Sequence, residues 1–93
     1  LRTYTINVGQ MDSWLELFND QLVPLLREHD IQVDGTWVNA ERTQFIWVRS
    51  YGDTEDDLKT KEAAFYGSAW WRANVDYVRS HLAHREVTLI RSV

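Results

Sequence analysis

The stretch from 43 to 51, Thr-Gln-Phe-Ile-Trp-Val-Arg-Ser-Tyr, limits what this chain can become more than any other. Side chains alternate between the two faces of a strand. Phe45, Trp47 and Tyr51 therefore point one way, and Ile46 and Val48 point the other. Both faces are apolar, which places the strand inside a sheet and requires cover on both sides.

The rest of the chain supplies the partners for such a strand. Residues 1–8 read as a first strand, with Tyr4, Ile6 and Val8 on one face and Leu1, Thr3 and Thr5 on the other. Gly9 ends it. From about 10 to 29, Met11, Leu15, Phe18, Leu22, Leu25 and Leu26 recur at helical spacing, and Trp14 widens the stripe. Pro24 lies inside this pattern, where it removes a hydrogen bond to the Asp20 carbonyl and predicts a kink. Asp30 follows the helix where Gly or Asn is usual. Strands over 31–39 and 43–51, joined by the polar turn Asn39–Arg42, form an antiparallel hairpin. The first carries Ile31, Val33, Gly35 and Trp37 on one face and the polar Gln32, Asp34 and Thr36 on the other, as an edge strand does.

Thr54 followed by Asp57 predicts a capping box and a helix to about Tyr66, with Leu58 and Phe65 inward. Gly67 interrupts it, and Ser68 caps a further helix over 69–82 carrying Trp70, Val75, Val78 and Leu82. A last strand over 85–91 alternates Val87 and Leu89 with Thr88 and Ile90. The acidic group Asp53, Glu55, Asp56 and Asp57 sits where that capped helix begins, meeting the positive end of its dipole. The order β-α-β-β-α-β is the ferredoxin-like α+β sandwich with a four-stranded antiparallel sheet. It forms a single domain over 1–93, without repeats or linkers.

Helices in this arrangement cover one sheet face only. The other is too apolar for water, and a two-fold homodimer packing sheet on sheet is the simplest cover. A chain of 93 residues also buries only about 60–65% of its unfolded surface by itself. There are no cysteines, hence no disulfide or thiolate chemistry, which fits the reducing cytoplasm. No apolar run reaches the ~18–20 residues of a membrane span, and no signal-peptide pattern opens the chain. It starts at Leu1 rather than Met, so preceding residues are expected. Net charge is −4 with no basic face, which argues against nucleic acid as a partner.

No phosphate-binding loop, dinucleotide turn or zinc-protease motif is present, so no cofactor is expected. His81 and His84 stand three apart, a metal-ligand spacing on one helix face, but a third ligand such as Glu86 or His29 has to come from elsewhere. Histidines near a helix C-terminus also complement its dipole, and no metal is expected. The aromatic group Trp37, Trp47, Tyr51, Tyr66, Trp70 and Trp71 is large for so small a domain, and core and dimer filling account for most of it. Arg49 shares a face with Trp47 and Tyr51, where a guanidinium is costly unless it meets a carboxylate, a ligand anion or an aromatic face. If it faces the helices, a pocket for a small aromatic or carboxylated molecule follows, lined by Arg49, Trp47, Tyr51, Tyr66, Trp70 and His81. His81 or Tyr66 is then the group available for proton transfer. If Arg49 faces a second subunit, it forms a dimer salt bridge. The alternative to a pocket is a non-catalytic dimeric scaffold or interaction module.

Several runs resemble the NIPSNAP family: Arg2-Thr3-Tyr4-Thr5, Gly9-Gln10-Met11, Leu22-Val23-Pro24-Leu25-Leu26-Arg27-Glu28-His29 and Gly35-Thr36-Trp37. The resemblance continues through Phe45–Tyr51, Ala63-Ala64-Phe65-Tyr66, Ser68 with Trp71, and Glu86-Val87 to Leu89. It implies the dimeric α/β-barrel superfamily, in which two ferredoxin-like subunits close their sheets into one barrel. Asp30, in place of Gly, and the doubled Trp70-Trp71 depart from the pattern. The wider superfamily includes cofactor-independent monooxygenases, isomerases and haem enzymes; fold alone transfers none of these activities. Light scattering is expected to give a mass about twice that of the 11.0 kDa chain, and a monomer at micromolar concentration would refute the dimer.

Overall fold

A computed structural model describes residues 1–91 and 93. Among these, β1 (Arg2–Ile6) leads into α1 (Met11–Leu17), a π-helical turn (Phe18–Leu22) and α2 (Val23–Glu28). Then come β2 (Gln32–Val38), β3 (Gln44–Ser50), α3 (Glu55–Tyr66), α4 (Ala69–Arg79) and β4 (Leu82–Val87). All pairings are antiparallel, in the order β2-β3-β1-β4, so β3 is interior and β2 is an edge, as expected. The fold is the expected α+β arrangement, and the sheet of the single chain stays open rather than closing into a barrel.

Pro24 acts through the turn before it. Val23 N–H donates to the Phe18 carbonyl, five residues back, so the helix widens for one π turn and Pro24 falls in the first turn of the next α segment, where its missing N–H is tolerated. Phe18 and Leu22 stay buried through the widening. At the far end Asp30 takes a left-handed conformation, φ 55°. The amides of Asp30 and Ile31 close onto the carbonyls of Arg27 and Leu26, a Schellman stop made without glycine. Lys61 Nζ donates to the Asp30 carbonyl at 3.1 Å and steadies it.

Most of the helical side of the core comes from α1 through α2: Met11, Trp14, Leu17, Phe18, Leu22, Leu25 and Leu26 pack on Tyr4, Ile6, Phe45 and Trp47 of the sheet. Alternation in β3 is strict, with Phe45, Trp47 and Arg49 buried under the helices. The second helical half is much less apolar. Phe65 is the buried residue of α3 and Val78 that of α4.

The boundaries near β4 and at the end of β1 differ most from expectation. The α4 helix stops at Arg79, not 82, and the strand that follows runs Leu82–Val87 instead of 85–91. Asn7 is the cause: its side chain holds the Ser80 carbonyl at 2.8 Å and its amide the His81 carbonyl at 2.8 Å, so pairing with β1 starts at once. Val8, expected to share the face of Tyr4 and Ile6, is fully exposed beyond the end of β1. The β2 strand also does not keep one alternation. Its register slips between Val33 and Gly35, so Val33 pairs opposite Arg49 on the helix side, while Gly35 and Trp37 pair opposite Val48 and Ile46 on the bare side.

Gly52 closes the route from β3 into α3 with φ +133°, a conformation that side chains rarely adopt. A Cβ there would stand 2.7 Å from Asp57 Oδ2, the carboxylate that completes the Thr54 capping box. Gly52→Ala is expected to cost about 1–2 kcal/mol in urea unfolding through strain and loss of the cap; an unchanged midpoint would contradict this.

Candidate functional site

Arg49 faces the helices, which settles which of its two arrangements holds. Its Nη2 donates to Glu62 Oε1 at 3.2 Å and to the Tyr66 hydroxyl at 2.9 Å, both on α3. Four aromatic rings surround the guanidinium. Its carbon lies 5.3 Å from the Trp47 ring centre, 5.2 Å from Tyr51, 5.7 Å from Phe65 and 5.8 Å from Tyr66. Its burial is thus compensated by both a carboxylate and aromatic faces.

One carboxylate oxygen serves three donors. Besides Arg49, Glu62 Oε1 takes Arg2 Nη2 at 3.4 Å and the Tyr51 hydroxyl at 2.7 Å. Alternation in β1 turns Arg2 inward with Tyr4 and Ile6, and its Nη1 donates to the Tyr4 hydroxyl at 3.1 Å. Both guanidinium groups are nearly fully buried, with side chains 7% and 4% exposed, against 31% for Glu62. Burial raises the Tyr51 phenol to about 12, and its hydrogen bond to Glu62 adds to the shift.

Beside this junction, between sheet and helices, a depression of about 330 Å³ is lined by Arg2, Glu62, Tyr66, Arg79, Arg85 and Val87. Arg85 stands opposite Tyr4 and Val87 opposite Arg2, so β4 turns both toward the helix side. Arg79 comes from the last turn of α4. The depression therefore holds three guanidinium groups and a single carboxylate, which Arg49 already shares. Among the described residues neither Arg79 nor Arg85 forms a salt bridge. A second, open cleft of about 610 Å³ reaches Arg2, Arg49, Tyr51 and Glu62 from the other side, but it also carries Asp53, Glu55 and Arg91 and is mixed in charge.

The structure brings together Arg49, Trp47, Tyr51 and Tyr66 from the sequence-based set. It does not bring in the other two. Trp70 lines neither concavity, although it too packs partly buried against the core; the residue of the pair beside the site is Trp71, whose ring centre lies 5.3 Å from Phe65 and 5.2 Å from Tyr66. His81 lies in the turn after α4, level with Asn7 at the opposite end of β1 from Arg2. That is about 15 Å away along the strand. Its Nδ1 donates to the Tyr77 carbonyl at 3.0 Å, so in the neutral ring Nε2 accepts from Ser13 Oγ at 2.9 Å. His84 does not share a helix face with it: it belongs to β4 and pairs with Glu86 at the surface.

Glu62, Arg2, Arg79 and Arg85 are missing from the sequence-based set. Two of them had a readable signal. Arg2 alternates with Tyr4 and Ile6, and Glu62 falls on the helical stripe of Leu58, Phe65 and Tyr66.

A family model described as NIPSNAP matches residues 1–93. No curated protein matches the chain significantly. Solved structures similar to it include an uncharacterised NIPSNAP domain protein from Burkholderia xenovorans, at TM-score 0.81 and 20% identity, with 98% of this chain and 90% of that one covered. A NIPSNAP family protein from Agrobacterium tumefaciens matches at TM-score 0.79 and 18% identity, covering 91% and 82%. Another Agrobacterium tumefaciens protein matches at 0.80 and 16%, covering 91% and 83%. At these identities the likeness is one of fold.

Raised from 10.0 in the free phenol, the Tyr51 group holds its proton longer in the folded protein than in the unfolded one. Its contribution to stability is complete below pH ~10 and is lost as pH rises toward about 12. Ultraviolet titration is expected to show a late tyrosinate in the wild type that Tyr51→Phe lacks. A wild-type titration identical to that of the variant would contradict the Tyr51–Glu62 bond.

Proposed function

The chain belongs to the NIPSNAP family over its whole length, and from that premise we propose that it binds a small aromatic molecule carrying a carboxylate, between sheet and helices. One observation carries this reading. In a chain of net charge −4, three guanidinium groups line a single depression with only one carboxylate among them. An anion supplies the missing charge, and a planar carboxylate matches the fork geometry of arginine. Tyr66 and Val87 offer apolar surface for the ring of the ligand. Because the Tyr66 oxygen accepts from Arg49, its own proton is free to donate to a ligand acceptor. Tyr66 is therefore the group to which any proton transfer at this site falls, whereas His81 is out of reach.

A second reading, a dimer through the helix-free sheet face, has its own support. Trp37 is 55% exposed there, folded over Gly35 and next to the half-buried Ile46 and Val48. A second copy related by a two-fold axis covers this patch and brings the two sheets together as a barrel. Trp37→Asp is then expected to halve the solution mass. The two readings are compatible: the dimer uses one sheet face and the ligand the other. A dimer without any ligand is the scaffold alternative. The cysteine-free composition fits a cytoplasmic setting, and no helix among the described residues is long and apolar enough to cross a membrane.

Trp71 packs on Tyr66, so tryptophan fluorescence reports on the depression. Benzoate is expected to give a saturable change and benzamide none. Arg79 and Arg85 are both exposed, so Arg79→Ala with Arg85→Ala leaves the fold intact, and it is expected to weaken benzoate binding about 10–100-fold. Equal responses to the acid and the amide, or to wild type and double variant, would sink the carboxylate reading.

A further inference from the structure

Deeper than the depression, a cavity of about 30 Å³ lies between the sheet and the helices. Its walls include Trp14, Trp47 and Arg49. Each of these residues has one buried N–H without an acceptor among the described residues: Trp14 Nε1, Trp47 Nε1 and Arg49 Nε. Trp14 is 1% exposed and Trp47 3%, and the Arg49 side chain is 4% exposed. A buried donor left unpaired costs roughly 1–3 kcal/mol, so three around one cavity call for an occupant.

The lining decides its chemistry. Arg79 and Arg85 also line the cavity, and no Asp or Glu does. Water fits by volume, since a water needs about 10–15 Å³. It also brings two protons that need acceptors. The phenol oxygens of Tyr4 and Tyr66 on the lining already accept from Arg2 and Arg49. An anion brings acceptor capacity alone and matches the three unpaired donors, while Leu22, Leu26, Phe65, Val78 and Leu82 give the rest of the wall an apolar surface. A carboxylate with its carbon substituent exceeds the space, whereas a halide does not.

We infer that this cavity is a binding site for a single small inorganic monoanion of halide size, held by the indole N–H groups of Trp14 and Trp47 and by Arg49 Nε–H. The site does not rest on the carboxylate reading: its three orphaned donors lie outside the 330 Å³ depression, which neither Trp14, Trp47 nor Arg49 lines. Occupancy completes the hydrogen bonding of Arg49 and offsets the charge that Glu62 leaves uncompensated.

Bromide is the probe, because it quenches tryptophan and scatters anomalously. In solution at constant ionic strength, with sulfate as the balancing anion, bromide is expected to quench the buried tryptophans saturably. Trp47→Phe keeps an aromatic ring but lacks the donor, and it is expected to weaken that response at least about tenfold. In a bromide-soaked wild-type crystal, an anomalous peak is expected in the cavity whether or not the variant folds. Linear quenching in the wild type, or a cavity holding only water, would overturn the inference. Benzoate binding measured on the same wild-type sample separates this outcome from failure of the carboxylate reading: a saturable benzoate response beside linear bromide quenching overturns the halide site alone.

Discussion

A single carboxylate oxygen, Glu62 Oε1, joins the two halves of this molecule. Donors reach it from β1 (Arg2), from β3 (Arg49) and from the residue after β3 (Tyr51). Removing one partner from such a group strands buried charge, which is far costlier than losing an exposed ion pair. The junction matters because the second helical half has little else to hold it. The segment from α1 to α2 buries a continuous stripe of large side chains, whereas α3 buries Phe65 and α4 buries Val78. The first half packs by apolar contact, and the second is held by hydrogen bonds, charge and an aromatic cage around Arg49.

That asymmetry makes room for a site. A helix pair seated by a full apolar face leaves no gap above the sheet. Here the weakly apolar α3 and α4 leave a depression beside the junction and a small cavity behind it. Positive charge gathers there although the chain as a whole is acidic, because β1, β4 and α4 each contribute an arginine to the same hollow. Glu62 is the carboxylate of that hollow, and other acidic residues lie at the start of α3, where Asp57 caps the helix and its neighbours meet the dipole.

On the opposite face, one slip of register sets the surface chemistry. With unbroken alternation Val33, Gly35 and Trp37 would have shared a side. The irregularity at Asp34 keeps Val33 with the core and sends Trp37 to the bare face, over a glycine whose missing side chain leaves space for the ring. The apolar patch thus sits on the β2–β3 half of that face, while Thr3, Thr5, His84 and Glu86 make the β1–β4 half polar.

Local pattern was enough for the element order, the interior place of β3, the capping box at Thr54 and the need of Arg49 for a partner. Each follows from periodicity or from the chemistry of neighbours within a few residues. The ends of α4 and β4 were not legible, because hydrogen bonds from Asn7, some seventy residues earlier in the chain, set them. Nor was the membership of the site. Helix phase chose Trp71 over Trp70, strand register carried His81 to the far end of the sheet, and only packing brought Arg79 and Arg85 beside Arg2. The sequence by itself determined a two-faced sheet and a buried arginine, since these depend on alternation along one strand. Tertiary structure decided which carboxylate answers that arginine and which other cations join it, since those contacts are made between segments far apart in the chain.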